Sequence, residues 1–202
     1  MSERPRLVVF VRAPLLGTVK RRLAAGIGAA AARDFYAAAT ATLLRRVGRD
    51  ARWRTELWVT PDLYAGSGRF WDPALPRAPQ GSGDLARRMT RAFLAGGAGP
   101  ALIVGSDIPD IAPRHIAAAF HALGAADAVF GPAADGGYWL VGLRQRAMAR
   151  RLFDGVRWSS EHALADTLAN LRGKRVAMLE TLSDIDDAAD FAAWCDRRQA
   201  RR

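Results

Sequence analysis

Short apolar runs rich in β-branched residues alternate along the chain with longer, Ala-rich stretches of helical character, and each run opens into a polar loop. Leu7 to Val11, Thr55 to Thr60, Ala101 to Val104, Asp127 to Phe130 and Arg175 to Glu180 read as strands. Helical spacing marks Ala29 to Val47, Leu85 to Leu94, Pro113 to Leu123, Arg146 to Phe153, Ser160 to Leu171 and Ala188 to Trp194. A first-turn proline suits the start at Pro113. Residues 61–83 are rich in Gly, Pro and Ser and read as loop, with a short strand before Gln80. Alternation of this kind predicts an α/β fold with a mostly parallel sheet covered on both faces. Ligands in such folds sit beyond the carboxyl ends of the strands, which is where the polar loops fall.

The length of 202 residues fits one domain, 1–202, and no internal repeat or linker interrupts it. No apolar run approaches the roughly 20 residues that span a bilayer. The start, MSERPRLVVFVRAP, lacks a signal-peptide pattern, and a cytoplasmic protein is expected. Cys195 is the only cysteine, which excludes an intrachain disulfide and a cysteine-rich zinc site. The net charge of +10 comes from arginine, since Lys20 and Lys174 are the only lysines. The doublets Arg45-Arg46, Arg87-Arg88, Arg150-Arg151 and Arg201-Arg202 are scattered and not interleaved with aromatics. A basic surface that draws in small anions therefore fits better than a nucleic-acid interface.

Four loops carry candidate chemistry. RAPLLGTVKRRL joins a turn at Gly17 to the cations Arg12, Lys20 and Arg22, a combination suited to phosphate oxygens, although GxxxxGK[ST] is absent. QGSGDLARRM offers the backbone of Gly81 and Gly83 as a slot for a flat group such as a nucleobase. Gln80 adds a donor and an acceptor, and Asp84 could equally be a helix N-cap. GSDIPD places Asp107 just past a strand, where a carboxylate suits Mg²⁺ or Mn²⁺. SDIDD offers Asp184 or Asp186 as a second ligand, while N-capping by Asp186 or Asp187 explains part of the same run. A fifth stretch, GPAADGGYWLVGL, sets Asp135, Gly136 and Gly137 against Tyr138 and Trp139. It reads as a hairpin turn that also walls a ligand pocket. His115 and His121 are six apart and do not share a helix face, and no G-x-S-x-G elbow is present.

Taken together and in order, RAPLLGTVKRRLA, QGSGDLARRM, GSDIPDI, GPAADGGYWLVGL, RWSS and LSDIDDAADF resemble a bacterial glycosyltransferase-like family associated with arsenosugar biosynthesis. The resemblance runs from about residue 6 to residue 194. The chain is more distantly similar to phospholactate and molybdenum-cofactor guanylyltransferases, within the nucleotide-diphospho-sugar transferase superfamily. The resemblance implies a three-layer α/β/α sandwich of GT-A type. It implies phosphate binding by Lys20 and Arg22, base binding by residues 80–84, and a metal on Asp107 with Asp186. Asp135 to Tyr138 and Trp158-Ser159-Ser160 would border the sugar or acceptor pocket. Arg21, Ala86 and Ser160 depart from the family's usual threonine, glycine and threonine. The expected activity is metal-dependent transfer from a nucleoside-diphosphate sugar to a small-molecule acceptor, with Asp135 as a candidate general base. The alternative is nucleotidyl transfer from a nucleoside triphosphate to a phosphorylated acceptor. A non-catalytic nucleotide-binding or nucleic-acid-binding module accounts less well for Lys20, Arg22 and Asp107 together.

Overall fold

A computed structural model of the chain describes residues 4–66, 69–97 and 99–200. Residues 67–68 of the expected loop and the Arg201-Arg202 doublet lie outside them. Its centre is a seven-stranded sheet in the order β3-β2-β1-β4-β6-β5-β7. The strands are β1 (Arg6–Arg12), β2 (Arg54–Thr60), β3 (Arg77–Pro79), β4 (Ala101–Gly105), β5 (Ala128–Pro132), β6 (Tyr138–Leu143) and β7 (Val176–Met178). β1 pairs in parallel with β2 and β4, β2 with β3, and β5 with β7. Only β6 runs antiparallel, to β4 on one side and β5 on the other. That reversal follows from chain length. Residues 133–137 alone join β5 to β6, too few for the crossover a parallel partner needs.

Helices cover both faces, because alternate residues of each strand point opposite ways. Leu7, Val9 and Val11 of β1 join Leu43, Leu44 and Val47 of α2 (Ala29–Val47) and Ile116 and Ala119 of α4 (Pro113–Ala122). Val8, Ile103 and Phe130 join Met89 and Phe93 of α3 (Leu85–Leu94) and Leu152 of α5 (Ala149–Leu152) on the other face. This is the expected three-layer α/β/α arrangement with a mostly parallel sheet.

Four helices differ from the expected plan, two of them in extent alone: α5 keeps only Ala149–Leu152 of the stretch Arg146 to Phe153, after a 3₁₀ turn over Arg146–Met148, and the last helix runs past Trp194 to Gln199. The loop after β1 leads first into a short helix, α1 (Arg21–Ile27), separated from α2 by Gly28 at φ 87°, ψ 150°. α6 begins only at Ala163 and ends at Ala169, because Ser159 turns the preceding loop through a left-handed backbone at φ 56°. The last helix, α7 (Ala188–Gln199), buries no residue fully. It leans on α1, where a Cβ on Gly26 would lie 2.5 Å from Ala188 Cβ. It also leans on Phe35 of α2, whose ring meets Phe191 and Trp194 edge-on at 5.1 and 5.4 Å. No helix among the described residues is long and apolar enough to cross a membrane.

Candidate functional site

A cleft of about 920 Å³ opens beyond the carboxyl ends of β1 and β4. Arg12, Lys20, Arg22, Gln80, Asp107, Asp135, Gly137, Tyr138, Ser159 and Asp186 all line it, drawn from loops along most of the chain. Gly17, Gly81, Gly83, Asp84 and Gly136 do not.

Its centre is an ionic cluster. Lys20 Nζ lies 3.1 Å from Asp107 Oδ2 and 2.9 Å from Asp186 Oδ1. The lysine side chain is 6% exposed, while Asp107 and Asp186 stay 41% and 31% open to the cleft. Lys20 precedes α1 with a left-handed backbone, φ 46° and ψ 53°, a conformation that costs a side-chain-bearing residue about 1–2 kcal/mol. Arg22, 80% exposed, reaches Asp186 Oδ2 at 3.1 Å from outside. Burial opposes charge on Lys20, but Asp107 and Asp186 outweigh it and hold the ammonium above its ordinary range. Burial likewise opposes charge on Asp186, yet Lys20 and Arg22 keep its carboxyl low.

The sequence run SDIDD divides its labour. Asp187 caps α7, its carboxylate accepting from the N–H groups of Ala189 and Asp190. Asp190 returns the favour, accepting from the N–H groups of Asp186 and Asp187. With the cap filled by Asp187, Asp186 is free to face Lys20. Asp184 also lines the cleft. Burial, then the carboxylates of Asp186 and Asp135, push its acid up to about 6.

That shift has a measurable consequence. An acid raised from 3.8 to about 6 on folding destabilises the folded state increasingly as pH rises through that interval, and fully above it. At a half-buried position solvent screening reduces the effect to about 1 kcal/mol. Asp184→Asn is therefore expected to raise Tm by about 3 °C at pH 8 in metal-free buffer. The gain should disappear below pH 4, where aspartate and asparagine are both neutral. Equal melting temperatures at pH 8 would refute the crowding of charge described here.

Behind the cluster, Tyr36 ties two strand ends together. Its hydroxyl accepts from the Arg12 N–H at 2.9 Å and shares a hydrogen bond of 2.9 Å with Ser106 Oγ, next to Asp107. Burial raises the Tyr36 hydroxyl pKa, so it stays protonated. Sequence reasoning missed Tyr36, Ser106 and Arg88, all of which line the cleft. The one available sign for Tyr36 is its i, i+3, i+4 spacing with Ala39 and Thr40 on the buried face of α2.

The loop of residues 80–84 is held largely by the fold's own groups. The side-chain nitrogen of Gln80 donates to the carbonyls of Val11 (3.2 Å) and Trp58 (2.8 Å). Its amide hydrogens are thus engaged inside the fold, and only the side-chain carbonyl is left to meet a ligand. Gly81 and Gly83 lie against arginine side chains. A Cβ at Gly81 would strike the Arg91 guanidinium, and one at Gly83 the Arg87 side chain. Arg91 in turn binds the carbonyls of Gln80 and Ser82, and Asp84 caps α3 through the Arg87 N–H at 2.9 Å.

The stretch after β5 is a hairpin turn and also a cleft wall. Asp135 Oδ1 accepts from the Gly137 N–H at 2.9 Å, closing a local turn. Gly136, at φ 84°, lies against the backbone of Glu161, and its carbonyl accepts from the Leu164 N–H at 3.0 Å. This contact docks the loop carrying Trp158 and Ser159 beside Tyr138. The Tyr138 and Trp158 rings sit 6.3 Å apart, edge to face. Burial pushes the Tyr138 hydroxyl pKa far up, so this wall stays neutral.

The model of a family described as an uncharacterized protein conserved in bacteria, DUF2064, matches residues 43–160. The chain belongs to this family. Its match takes in Gln80, Asp107, Asp135 and Tyr138, while Lys20 and Asp186 fall on either side. Among solved structures, the chain is similar to a Desulfovibrio desulfuricans G20 protein provisionally named a nucleotide-diphospho-sugar transferase. The two share 29% identity at a TM-score of 0.87, over 96% of this chain and 87% of that one. It also shares its fold with 4-diphosphocytidyl-2C-methyl-D-erythritol synthase of Anaerococcus prevotii, at 12% identity and TM-score 0.62, over 98% and 99% of the two chains. A third relative in fold is a Mycobacterium tuberculosis H37Rv protein solved as a manganese complex, at 18% identity and TM-score 0.59, over 96% and 98%. No curated protein matches the chain with statistical significance.

Proposed function

We propose that the chain is a metal-dependent transferase that takes a nucleoside-diphosphate sugar as donor. The observation that carries this reading is the Lys20–Asp107–Asp186 cluster, assembled from three distant segments at the mouth of the sheet and flanked by cations. The motif resemblance to arsenosugar-associated glycosyltransferase-like proteins and the likeness to the Desulfovibrio protein support the sugar-donor form.

The residues fit a hard divalent cation. Asp107 and Asp186 offer only oxygen donors, and an ammonium already stands between them as a stand-in charge; among the described residues no third His, Cys, Asp or Glu completes a metal-holding group with them. Asp107 and Asp186 would hold Mg²⁺ or Mn²⁺. When bound, such an ion neutralises charge on a diphosphate. The chain's own groups do the rest. Lys20, Arg22 and Arg12 offer positive charge to the phosphates, which lowers the cost of negative charge building on the leaving nucleotide. Asp135 keeps one carboxylate oxygen beyond its bond to Gly137 to accept a proton from, or orient, an acceptor hydroxyl. Tyr138 and Trp158 give the sugar an aromatic, water-excluding wall.

A second reading is nucleotidyl transfer from a nucleoside triphosphate to a phosphorylated small acceptor. The arginines lining the cleft outside the Lys20–Asp107–Asp186 cluster favour it: Arg12, Arg21 and Arg88 add positive charge for a longer phosphate chain. One experiment separates the two. The protein is incubated with Mg²⁺ or Mn²⁺ and a panel of nucleotide sugars and nucleoside triphosphates, and products are followed by phosphorus NMR. Release of nucleoside diphosphate supports the first reading, and release of pyrophosphate with a phosphorylated acceptor supports the second. If no nucleotide raises Tm in the presence of metal, both fail.

A further inference from the structure

Lys20 stands in the space a shared metal ion would need. Its nitrogen contacts one oxygen of Asp107 and one of Asp186, so those oxygens are no farther apart than the sum of the two contacts. An ion ligated by both, at the roughly 2.0–2.1 Å usual for Mg²⁺, needs those oxygens within about 4 Å of each other, and it would then lie too close to the ammonium for the two cations to coexist. Nor is the lysine a loose surface group. Its side chain is buried and its ammonium is held by two carboxylates. Arg22 differs in kind, because it neutralises Asp186 from the solvent side and occupies nothing between the carboxylates.

We propose that Lys20 is the resident counter-ion of this site, so that its ammonium and a divalent cation are alternative occupants of the Asp107–Asp186 pair. Metal entry displaces the ammonium into the cleft, where a phosphate group becomes its new partner. Two consequences follow from mutual exclusion. In the absence of nucleotide, metal binding is held weak by competition with the tethered lysine. With nucleotide present, metal and phosphate bind cooperatively, each raising the other's affinity by the same factor. The inference rests on the assignment of Asp107 and Asp186 as the metal ligands.

The test is nucleotide-free Mn²⁺ binding to the full chain, read from the electron paramagnetic resonance signal of free Mn²⁺. Lys20→Met and Lys20→Gly are expected to tighten Mn²⁺ binding by about tenfold. The glycine variant suits the left-handed backbone and secures a folded protein. Arg22→Met removes the same charge without vacating the shared position and should change affinity by about threefold at most. Unchanged or weaker Mn²⁺ binding in the Lys20 variants overturns the proposal, as does an Arg22→Met effect of equal size. Adding Asp107→Asn to Lys20→Gly tells the two layers apart. If it leaves Mn²⁺ binding intact, the metal assignment itself fails. If it weakens binding while Lys20→Gly alone does not tighten it, only the exclusion fails.

Discussion

Asp107→Asn is expected to lower turnover about 1,000-fold with whichever nucleotide substrate the product screen identifies. The substitution keeps the shape of the side chain and removes its charge. Three things change together: a hard anionic ligand is lost, Lys20 keeps only Asp186, and the cleft's balance shifts toward the positive. The fold should hardly notice. Asp107 lies past the end of β4, 41% exposed, outside the strands and away from the apolar core. Its contribution to stability is that of a partly solvated ion pair, worth about 1 kcal/mol or less. The decisive comparison is therefore kcat and nucleotide-free Mn²⁺ binding against Tm. Loss of the first two with Tm within about 3 °C of the wild type supports the assignment. Near-normal turnover, or Mn²⁺ binding as tight as before, removes Asp107 from the metal role.

Gly136→Ala is expected to cost about 3 kcal/mol, and here stability and activity should fall together. Part of the loss is the left-handed backbone at φ 84°, about 1–2 kcal/mol for any residue with a Cβ. The remainder is steric. The new methyl would lie 2.5 Å from Glu161 Cα, and backbone cannot swing aside as a side-chain tip can. For a chain of this length the loss corresponds to a Tm about 6–12 °C lower. Relief requires moving the 157–161 loop, which takes Trp158 and Ser159 off the cleft wall, so KM for the sugar-bearing substrate should rise as well. Gly137→Ala is the internal comparison. There the nearest atom to an added Cβ is Asp135 Oδ1 at 3.1 Å, on an exposed side chain able to give way. Equal effects at the two positions would mean that the contact with Glu161 does not set this wall.

Much of the fold was legible because its strands advertise themselves. LVVFV and ALIV are almost wholly buried and lack polar alternation, and each runs on for one residue, to Arg12 and Gly105, before its loop begins. The site residues that converge also share a readable feature: Lys20, Asp107 and Asp186 each sit in a loop that follows a strand. What could not be read was set by contacts between distant segments. α1 merges in sequence with the Ala-rich α2, from which Gly28 divides it, and only the fold shows that its Gly26 packs against Ala188. Loop composition likewise cannot reveal that Gly81 packs on Arg91 and Gly83 on Arg87, outside the lining of the cleft that Gln80 reaches. Tyr36 is hidden for a related reason. A tyrosine among alanines becomes informative only when the register of α2 against β1 and β4 is known.

The lightly held α7 has a consequence for the order in which the molecule becomes complete. Chains emerge from the ribosome at about 5–20 residues per second, N-terminus first, and can begin folding as they do. Lys20 and Asp107 are available early, and β1, β2 and β4 can pair around them. Asp186 is separated from Lys20 by 166 residues, and it is positioned only when Asp187 nucleates a helix whose own grip on the body is slight. Because Asp186 stands just before a helix that buries no residue fully, whatever loosens α7 also loosens the carboxylate that faces Lys20.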